Sequence, residues 1–138
     1  MPMRDRYHTP VKNALIKAGW TVTHDPFSLK YGLKDMYIDL GAKQFIAAEN
    51  KDRKIAVEIK SFLGLSELDD LEKALGQYIL YLDVLAKVEP DRELFLAVNE
   101  NVYYDLFEEP IGQLLINNGR LRLIVIDPQL EVIQRWIP

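Results

Sequence analysis

With 138 residues, 49% of them hydrophobic and 28% charged, the chain has the size and composition of one globular domain covering residues 1–138. It has no cysteine, which excludes a disulfide framework, a zinc–thiolate site and a thiol nucleophile and favours a cytoplasmic location. The net charge of −4 argues against a protein that coats nucleic acid by charge alone. No apolar run approaches the ~20 residues that cross a bilayer, so no membrane contact is expected.

The first predicted element is a helix that ends at Gly19. Thr9 and Pro10 are typical of an N-cap followed by Pro at the first helical position. The residues at helical spacing after them are Val11, Ala14, Leu15 and Ala18. A start near Arg4 is the alternative, and it would place Pro10 where it kinks the helix.

Three strands are predicted next, with a break at Asp25-Pro26 after the first and a loop up to Lys34. The strands cover residues 20–24, 36–40 and 54–60, with further extended chain over 45–49 and a polar turn over 50–53. If that turn is symmetric, Phe45 lies opposite Glu58. Asp39 then reaches Glu58 only through a bulge or kink near Gly41-Ala42.

The second half begins with a helix that Ser66 caps, with Asp69 three residues later. Its predicted apolar stripe is Leu68, Leu71, Leu75, Tyr78, Ile79 and Leu82. A buried strand (94–98), two helical stretches (102–107 and 110–117) and two strands (121–126 and 130–136) follow. The order predicts an α/β fold: an αβββαβ core with a mixed central sheet flanked by helices, plus a C-terminal hairpin.

The third strand carries polar side chains where a buried strand should be apolar. Alternation places Ala56, Glu58 and Lys60 on the face opposite Ile55, Val57 and Ile59. Asp39 interrupts the preceding strand in the same way. Two neighbouring carboxylates favour a hard divalent cation, Mg²⁺ or Mn²⁺, with the Ile59 carbonyl as a further ligand and Lys60 as the catalytic cation. Spacing alone leaves a second interpretation open, which is a solvated strand edge or a surface ion pair.

Asp39, followed after eighteen residues by Glu58-Ile59-Lys60, resembles the PD-(D/E)xK signature of metal-dependent nucleases, although Ile38 replaces the motif's Pro. Gln77-Tyr78-Ile79-Leu80-Tyr81 resembles the QxxxY helix motif of many of those enzymes. The resemblance implies a restriction-endonuclease-like fold. It also implies that Asp39, Glu58 and the Ile59 carbonyl bind metal, that Lys60 is catalytic, and that Gln77 orients Lys60 or the substrate. For Tyr81 the favoured interpretation is simple core packing, because Tyr is commonly buried with only its hydroxyl satisfied.

Nearly the whole chain resembles the XisH family of excision controlling factors. The similar segments are residues 7–8, 12–15, 19–26, 37–42, 55–62 and 109–113. This resemblance implies a role in controlling excision of a DNA element, with DNA, a site-specific recombinase and the companion factor XisI as partners. A homodimer is expected only by analogy with junction-cutting enzymes.

Many PD-(D/E)xK proteins also place a Glu on the first helix, and the nearest candidates here are Asp5 and His8. His8 is predicted to be a core or interface residue because it shares a helical face with Val11 and Leu15. His24 is predicted to be a strand-end residue, with the Asp25 side chain serving the turn.

Three functions therefore remain open from the sequence. The first is a Mg²⁺-dependent nuclease. The second is a catalytically silent DNA- or protein-binding accessory factor, because a fold does not fix a function. The third is an interaction protein that uses apolar surface such as Leu63, Leu65 and the Tyr103-Tyr104 pair.

Overall fold

The computed structural model describes residues 4–138 and consists of a six-stranded sheet, a separate β-hairpin and flanking helices. The strands are β1 (Thr21–His24), β2 (Phe27–Tyr31), β3 (Lys34–Ile38), β4 (Leu40–Ile46), β5 (Lys51–Ile59), β6 (Arg92–Asn99), β7 (Leu123–Asp127) and β8 (Val132–Ile137). The α-helices are α1 (His8–Lys17), α2 (Glu67–Val88), α3 (Glu100–Val102) and α4 (Pro110–Asn117). A 3₁₀ turn covers Ala47–Glu49, and a π-helical turn covers Tyr103–Phe107.

The large sheet is mixed, in the order β1-β4-β5-β6-β7-β8. β5, β6 and β7 are parallel neighbours, and the other pairs are antiparallel. The long helix α2 makes the crossover from β5 to β6, as parallel neighbours require. The predicted α/β fold with a mixed central sheet and flanking helices is thus confirmed. In the described part of the chain, no helix is both long and apolar enough to span a bilayer.

Each face of this sheet has its own hydrophobic core, and β5 contributes to both. Ala56 packs in the core that includes α2, whereas Ile55, Val57 and Ile59 pack in the core that includes α1. This is the alternation that the sequence predicts for residues 55–60. The interpretation of this segment as a solvated edge is wrong, since β5 lies between β4 and β6 and Glu58 is only 6% exposed.

Helix α1 begins two residues earlier than the predicted N-cap at Thr9 implies. It starts at His8, with Tyr7 at the N-cap position and without a capping side chain, so both predicted starts, at Thr9-Pro10 and near Arg4, are wrong. Pro10 is the third helical residue. It causes no kink there because the first four N–H groups of a helix have no partner within it.

The turn between β4 and β5 lies three residues before its predicted position. The two strands pair without a break from Leu40 opposite Val57 to Ile46 opposite Lys51. Asn50 closes the turn with a φ of 52°, a left-handed conformation that Asn tolerates well. The predicted turn at 50–53 and the kink at Gly41-Ala42 are therefore wrong, because the unbroken register already carries the chain to Asp39 beside Glu58.

The segment between β1 and β4, predicted as a loop and one strand, forms the hairpin β2–β3. Its strands pair only with each other, from Phe27 opposite Ile38 to Tyr31 opposite Lys34. Gly32, with a φ of 60°, lies in the two-residue turn between them. The predicted strand 36–40 is split at Asp39, which lies in the bend between β3 and β4.

Helix α2 has the predicted cap, since Ser66 Oγ accepts a hydrogen bond of 3.2 Å from the Asp69 backbone N–H. Its buried stripe is rotated from the predicted one. Leu71 and Tyr78 are buried as expected, whereas Leu68, Ile79 and Leu82 are exposed. Further along the chain, α4 matches its predicted bounds, the helical stretch 102–107 begins at Glu100 and includes the π turn, and the last two strands begin two residues late.

Tyr78 ties α2 to the sheet through its hydroxyl. The O–H donates to the Leu94 carbonyl at 2.9 Å, and the same oxygen accepts from the Arg122 backbone N–H at 3.2 Å. We expect Tyr78→Phe to lower the free energy of unfolding by about 1–3 kcal/mol, because both backbone groups lose their partner in a buried place. Urea unfolding measures this. Tyr104→Phe, at a 55% exposed position, is the control.

Candidate active site

A cavity of about 200 Å³ opens between the end of β5, the bend before β4 and the side of α2. It is lined by Asp5, Tyr37, Asp39, Glu58, Ile59, Lys60, Gln77 and Tyr81. The structure therefore brings together the five residues to which the sequence assigns metal binding or catalysis, which are Asp39, Glu58, Ile59, Lys60 and Gln77. They meet because the ends of β4 and β5 are neighbours in the sheet and α2 crosses the same face.

The two carboxylates are joined through the backbone as well as directly. The Asp39 N–H donates to Glu58 Oε1 at 3.3 Å, and the Ile59 N–H donates to Asp39 Oδ2 at 2.8 Å. Because the N–H and C=O of a strand residue point to the same side, the Ile59 carbonyl also faces the Asp39 side of β5. Three oxygen-bearing groups thus converge on one end of the cavity.

Among the Asp and Glu residues of the described chain, 4–138, Glu58 is the only one that is buried. Burial, and after it the neighbouring Asp39 carboxylate, raise the pKa of Glu58 to about 9, while Lys60 acts against them. Near neutral pH the metal-free pair therefore holds a proton that a carboxyl group in water would release. A pair of carboxylates that cannot both be charged without help is typical of a functional site.

The donor set fits a hard divalent cation that keeps part of its water shell. Among residues 4–138, no three His, Asp or Glu side chains are grouped so that they could hold a metal ion. The cavity instead offers the carboxylates of Asp39 and Glu58 and the Ile59 carbonyl. Mg²⁺ is commonly held in this way, by one or two carboxylates with several waters.

Helix α2 supplies the wall opposite the carboxylates. Gln77 and Tyr81 are one helical turn apart and line the same cavity, as their spacing predicts. Tyr81 is 9% exposed, and burial, followed by the charges of Glu58 and Asp39, raises the pKa of Tyr81 to about 12. Its hydroxyl therefore remains neutral and can donate a hydrogen bond. Tyr81 packs in the core and also lines the cavity.

The segment after Lys60 is fixed to its surroundings by two carboxylates. Asp5 accepts hydrogen bonds from the Ser61 N–H at 3.1 Å and the Tyr7 N–H at 2.9 Å, so each of its oxygens is already engaged. Asp70 accepts from the Gly64 N–H at 2.8 Å. Asp5, a sequence candidate for completing the metal site, thus lies at the cavity but holds α1 against the end of β5.

The two histidines lie outside the cavity. His8 is buried, and its Nε2 lies 2.7 Å from Asp25 Oδ1, which agrees with its prediction as a core residue. Against the opposing effect of burial, hydrogen bonds from Lys12 and His8 lower the pKa of Asp25. The predicted turn role of Asp25 is wrong, because this carboxylate holds α1 to the end of β1. His24 is exposed and packs edge-on against Phe27, with the ring centroids 4.8 Å apart.

Tyr37 is the cavity residue that the sequence interpretation missed. The predicted strand 36–40 gives Tyr37 no role in a site, because the sequence pattern is not interpreted as the hairpin β2–β3. The available signal was the pair of short apolar alternations on either side of Gly32, in Phe27–Tyr31 and Lys34–Ile38.

Comparison with known proteins identifies the family to which the chain belongs. A solved XisH family protein from Nostoc punctiforme PCC 73102 is 35% identical, with a TM-score of 0.87 over 97% of this chain and 100% of the other. A solved fdxN element excision controlling factor protein from Anabaena variabilis is 38% identical, with a TM-score of 0.87 over 98% of this chain and 100% of the other. No functionally curated protein shows significant similarity. The family model described as XisH protein matches residues 1–134, and the chain therefore belongs to the XisH family.

Proposed function

We propose that the chain is a Mg²⁺- or Mn²⁺-dependent nuclease of the PD-(D/E)xK class, with a restriction-endonuclease-like fold, that acts on DNA phosphodiesters during control of DNA-element excision. The observation that carries the proposal is the cavity in which Asp39, Glu58 and Lys60 meet. A buried Glu beside a second carboxylate is costly for folding, and metal binding provides a reason for it.

Six of the eight residues that line the cavity have a role in this proposal. Asp39, Glu58 and the Ile59 carbonyl hold the cation. When bound, the cation would activate a water and neutralise charge on a phosphodiester. Lys60 stabilises the charge that develops on the phosphate, Gln77 orients Lys60 or the substrate, and Tyr81 donates a hydrogen bond from its neutral hydroxyl.

The biological setting rests on the relatives. One is described as an fdxN element excision controlling factor, which supports a role of this chain in the excision of a DNA element. We propose DNA, a site-specific recombinase and an XisI-type companion as its partners, and a homodimer as its assembly. The cleavage of a DNA strand would be its contribution to that process.

A catalytically silent accessory factor is the second candidate. The net charge of −4 favours it, because it does not draw DNA phosphates to the cavity. Surface for a partner chain is also present. Leu63, Leu65 and Tyr104 are all more than half exposed, whereas Tyr103 is buried.

Metal titration separates the two candidates. We expect Mg²⁺ and Mn²⁺ to bind the wild type in calorimetry, and Asp39→Asn to lose that binding because one of two carboxylate ligands is gone. Cleavage of single-stranded, duplex and branched DNA is assayed in parallel, and we expect Asp39→Asn to lower it at least 100-fold. Asp52→Asn, on the exposed far end of β5, is the charge-matched control. Binding without cleavage of any substrate would support the accessory factor, and no binding at all would contradict the metal site.

A further inference from the structure

Tyr37 presents an aromatic ring at the mouth of the cavity without a structural reason to be there. On β3, Met36 and Ile38 face the core, and Tyr37 alternates to the outer face. It lines the cavity with Asp39 and Glu58 and is 39% exposed. Its ring belongs to neither hydrophobic core, and its hydroxyl makes no hydrogen bond within residues 4–138.

The neighbours of Tyr37 leave the ring accessible. Ser28 lies directly opposite it on β2, and a side chain this small cannot cover an aromatic face. Lys30 lies diagonally across the hairpin on the same outer face and is exposed. The charge of Lys30 is offset by Asp35, which lies directly opposite it on β3 and is also exposed. The open face of Tyr37 is therefore the feature that suits a nucleic-acid strand, since base–aromatic stacking is a common way to bind one.

The size of the cavity determines which part of a nucleotide reaches the ring. A volume of about 200 Å³ equals roughly seven waters at about 30 Å³ each. This accommodates a hydrated ion and a phosphodiester group beside the carboxylates, and we place the attached bases at the open rim. Tyr37 is the aromatic residue at that rim, since Tyr81 is buried in the wall.

We propose that Tyr37 stacks on an unpaired base next to the phosphodiester in the cavity, so that the substrate is a DNA strand that is single-stranded at this position. The proposal rests on the proposed nuclease function for its choice of ligand. In a duplex, both faces of each base are covered by neighbouring base pairs, so a ring at the rim finds no free face. In a chain of net charge −4, such local stacking also supplies affinity that overall charge does not.

The test measures binding of a fluorescently labelled single-stranded oligonucleotide by anisotropy, with Ca²⁺ in place of Mg²⁺. We expect Tyr37→Ala to raise Kd roughly 5- to 150-fold, the range for loss of one base–aromatic stack. Tyr37→Phe keeps the ring and should bind like the wild type. Tyr31→Ala is the matched control, because Tyr31 is 50% exposed on the same hairpin but lines an apolar groove beside Leu80.

Oligonucleotides that carry abasic sites identify the contact as stacking. We expect the difference between wild type and Tyr37→Ala to disappear on the abasic strand and to be absent on a blunt duplex. Equal Kd values for wild type and Tyr37→Ala on the intact strand, or no binding of that strand at all, would overturn the proposal. Tyr37-dependent binding without cleavage in Mg²⁺ would leave it standing and contradict the nuclease. Equal cleavage by wild type and Tyr37→Ala would support the nuclease and overturn the stacking proposal.

Discussion

Replacing Glu58 with Gln is expected to stabilise the metal-free protein and to remove its response to Mg²⁺. Gln keeps the oxygen that accepts from the Asp39 N–H, and its amide can donate to the Asp39 carboxylate as the protonated Glu58 does. It carries no charge that burial penalises. The substitution therefore removes a destabilising group and a metal ligand in one step, a trade of stability against function that is common at active sites.

The pH dependence of the stability that Glu58→Gln gains follows from the pKa values of Glu58 in the unfolded and the folded chain. The pKa is 4.5 in the unfolded chain and about 9 in the folded one, so between these values the folded state binds a proton that the unfolded state releases. Wild-type stability therefore falls as pH rises through this window, whereas that of Glu58→Gln does not. pH 7 lies roughly 2.5 pH units above the pKa of Glu58 in the unfolded chain. By pH 7 the wild type has therefore lost about 3 kcal/mol of its free energy of unfolding through this group.

Thermal and urea unfolding in chelator at pH 4 and pH 7 check this expectation. The two proteins should be about equally stable at pH 4, and Glu58→Gln should be more stable at pH 7. Added Mg²⁺ should raise the melting temperature of the wild type alone, since only a protein that binds the ion in its folded state is stabilised by it. Glu72→Gln, on the exposed side of α2, is the control. A destabilised Glu58→Gln at pH 7 would mean that the carboxylate is already charged and paired without metal.

Gly112→Ala is expected to destabilise the fold by about 2 kcal/mol. A Cβ at Gly112 would lie 2.4 Å from both the Leu106 carbonyl oxygen and the Phe107 Cα, which are backbone atoms of the π-helical turn. Backbone cannot move aside as a side chain does, so α4 must shift away from this turn. The Gln113 side chain, which donates to the Phe107 carbonyl at 2.7 Å, would lose its alignment as well. Overpacking of this kind costs about 1–3 kcal/mol or more and outweighs the ~1 kcal/mol that Ala gains over Gly in a helix.

Gly76→Ala is the matched control because the same substitution meets opposite surroundings. Gly76 lies within α2 on an exposed face, and a Cβ there would touch nothing within 4 Å. We expect it to raise the free energy of unfolding by about 0.5–1 kcal/mol through helix propensity alone. Opposite signs for the two variants in urea unfolding support the clash at Gly112, and equal signs contradict it.

The central strand and its polar residues could be predicted from the sequence because alternation is a local signal. Ile55, Val57 and Ile59 mark one face, and a carboxylate on the other face of so apolar a strand indicates a site. The grouping of Glu58 with Gln77 was accessible only through the resemblance to nucleases. No local pattern specifies that α2 crosses the end of β5.

The turn before β5 was misplaced because two polar signals overlap there. Residues 50–53 are polar, but only Asn50 belongs to the turn, and Lys51 and Asp52 are polar because that end of β5 is exposed. The register depends on which residue adopts the left-handed conformation, and composition does not identify it. The role of Asp25, which binds His8 and Lys12 from α1, could not be predicted from the sequence. The reason is that a turn-forming residue type does not indicate which partners, distant in the chain, its side chain will contact.

The independence of hairpin β2–β3 has a consequence for how this family can diversify. The hairpin pairs with no other strand among residues 4–138, yet it carries Tyr37 at the rim, while Glu58 and Ile59 are fixed by the six-stranded sheet and Asp39 by the bend that leads into it. Exchanging the hairpin's outward residues or its length would leave the pairing of β4 with β5 intact. If the proposed nuclease function holds, target preference and chemistry are carried by different parts of the fold, and the hairpin's outward residues can change without altering the strands that hold Glu58 and Ile59.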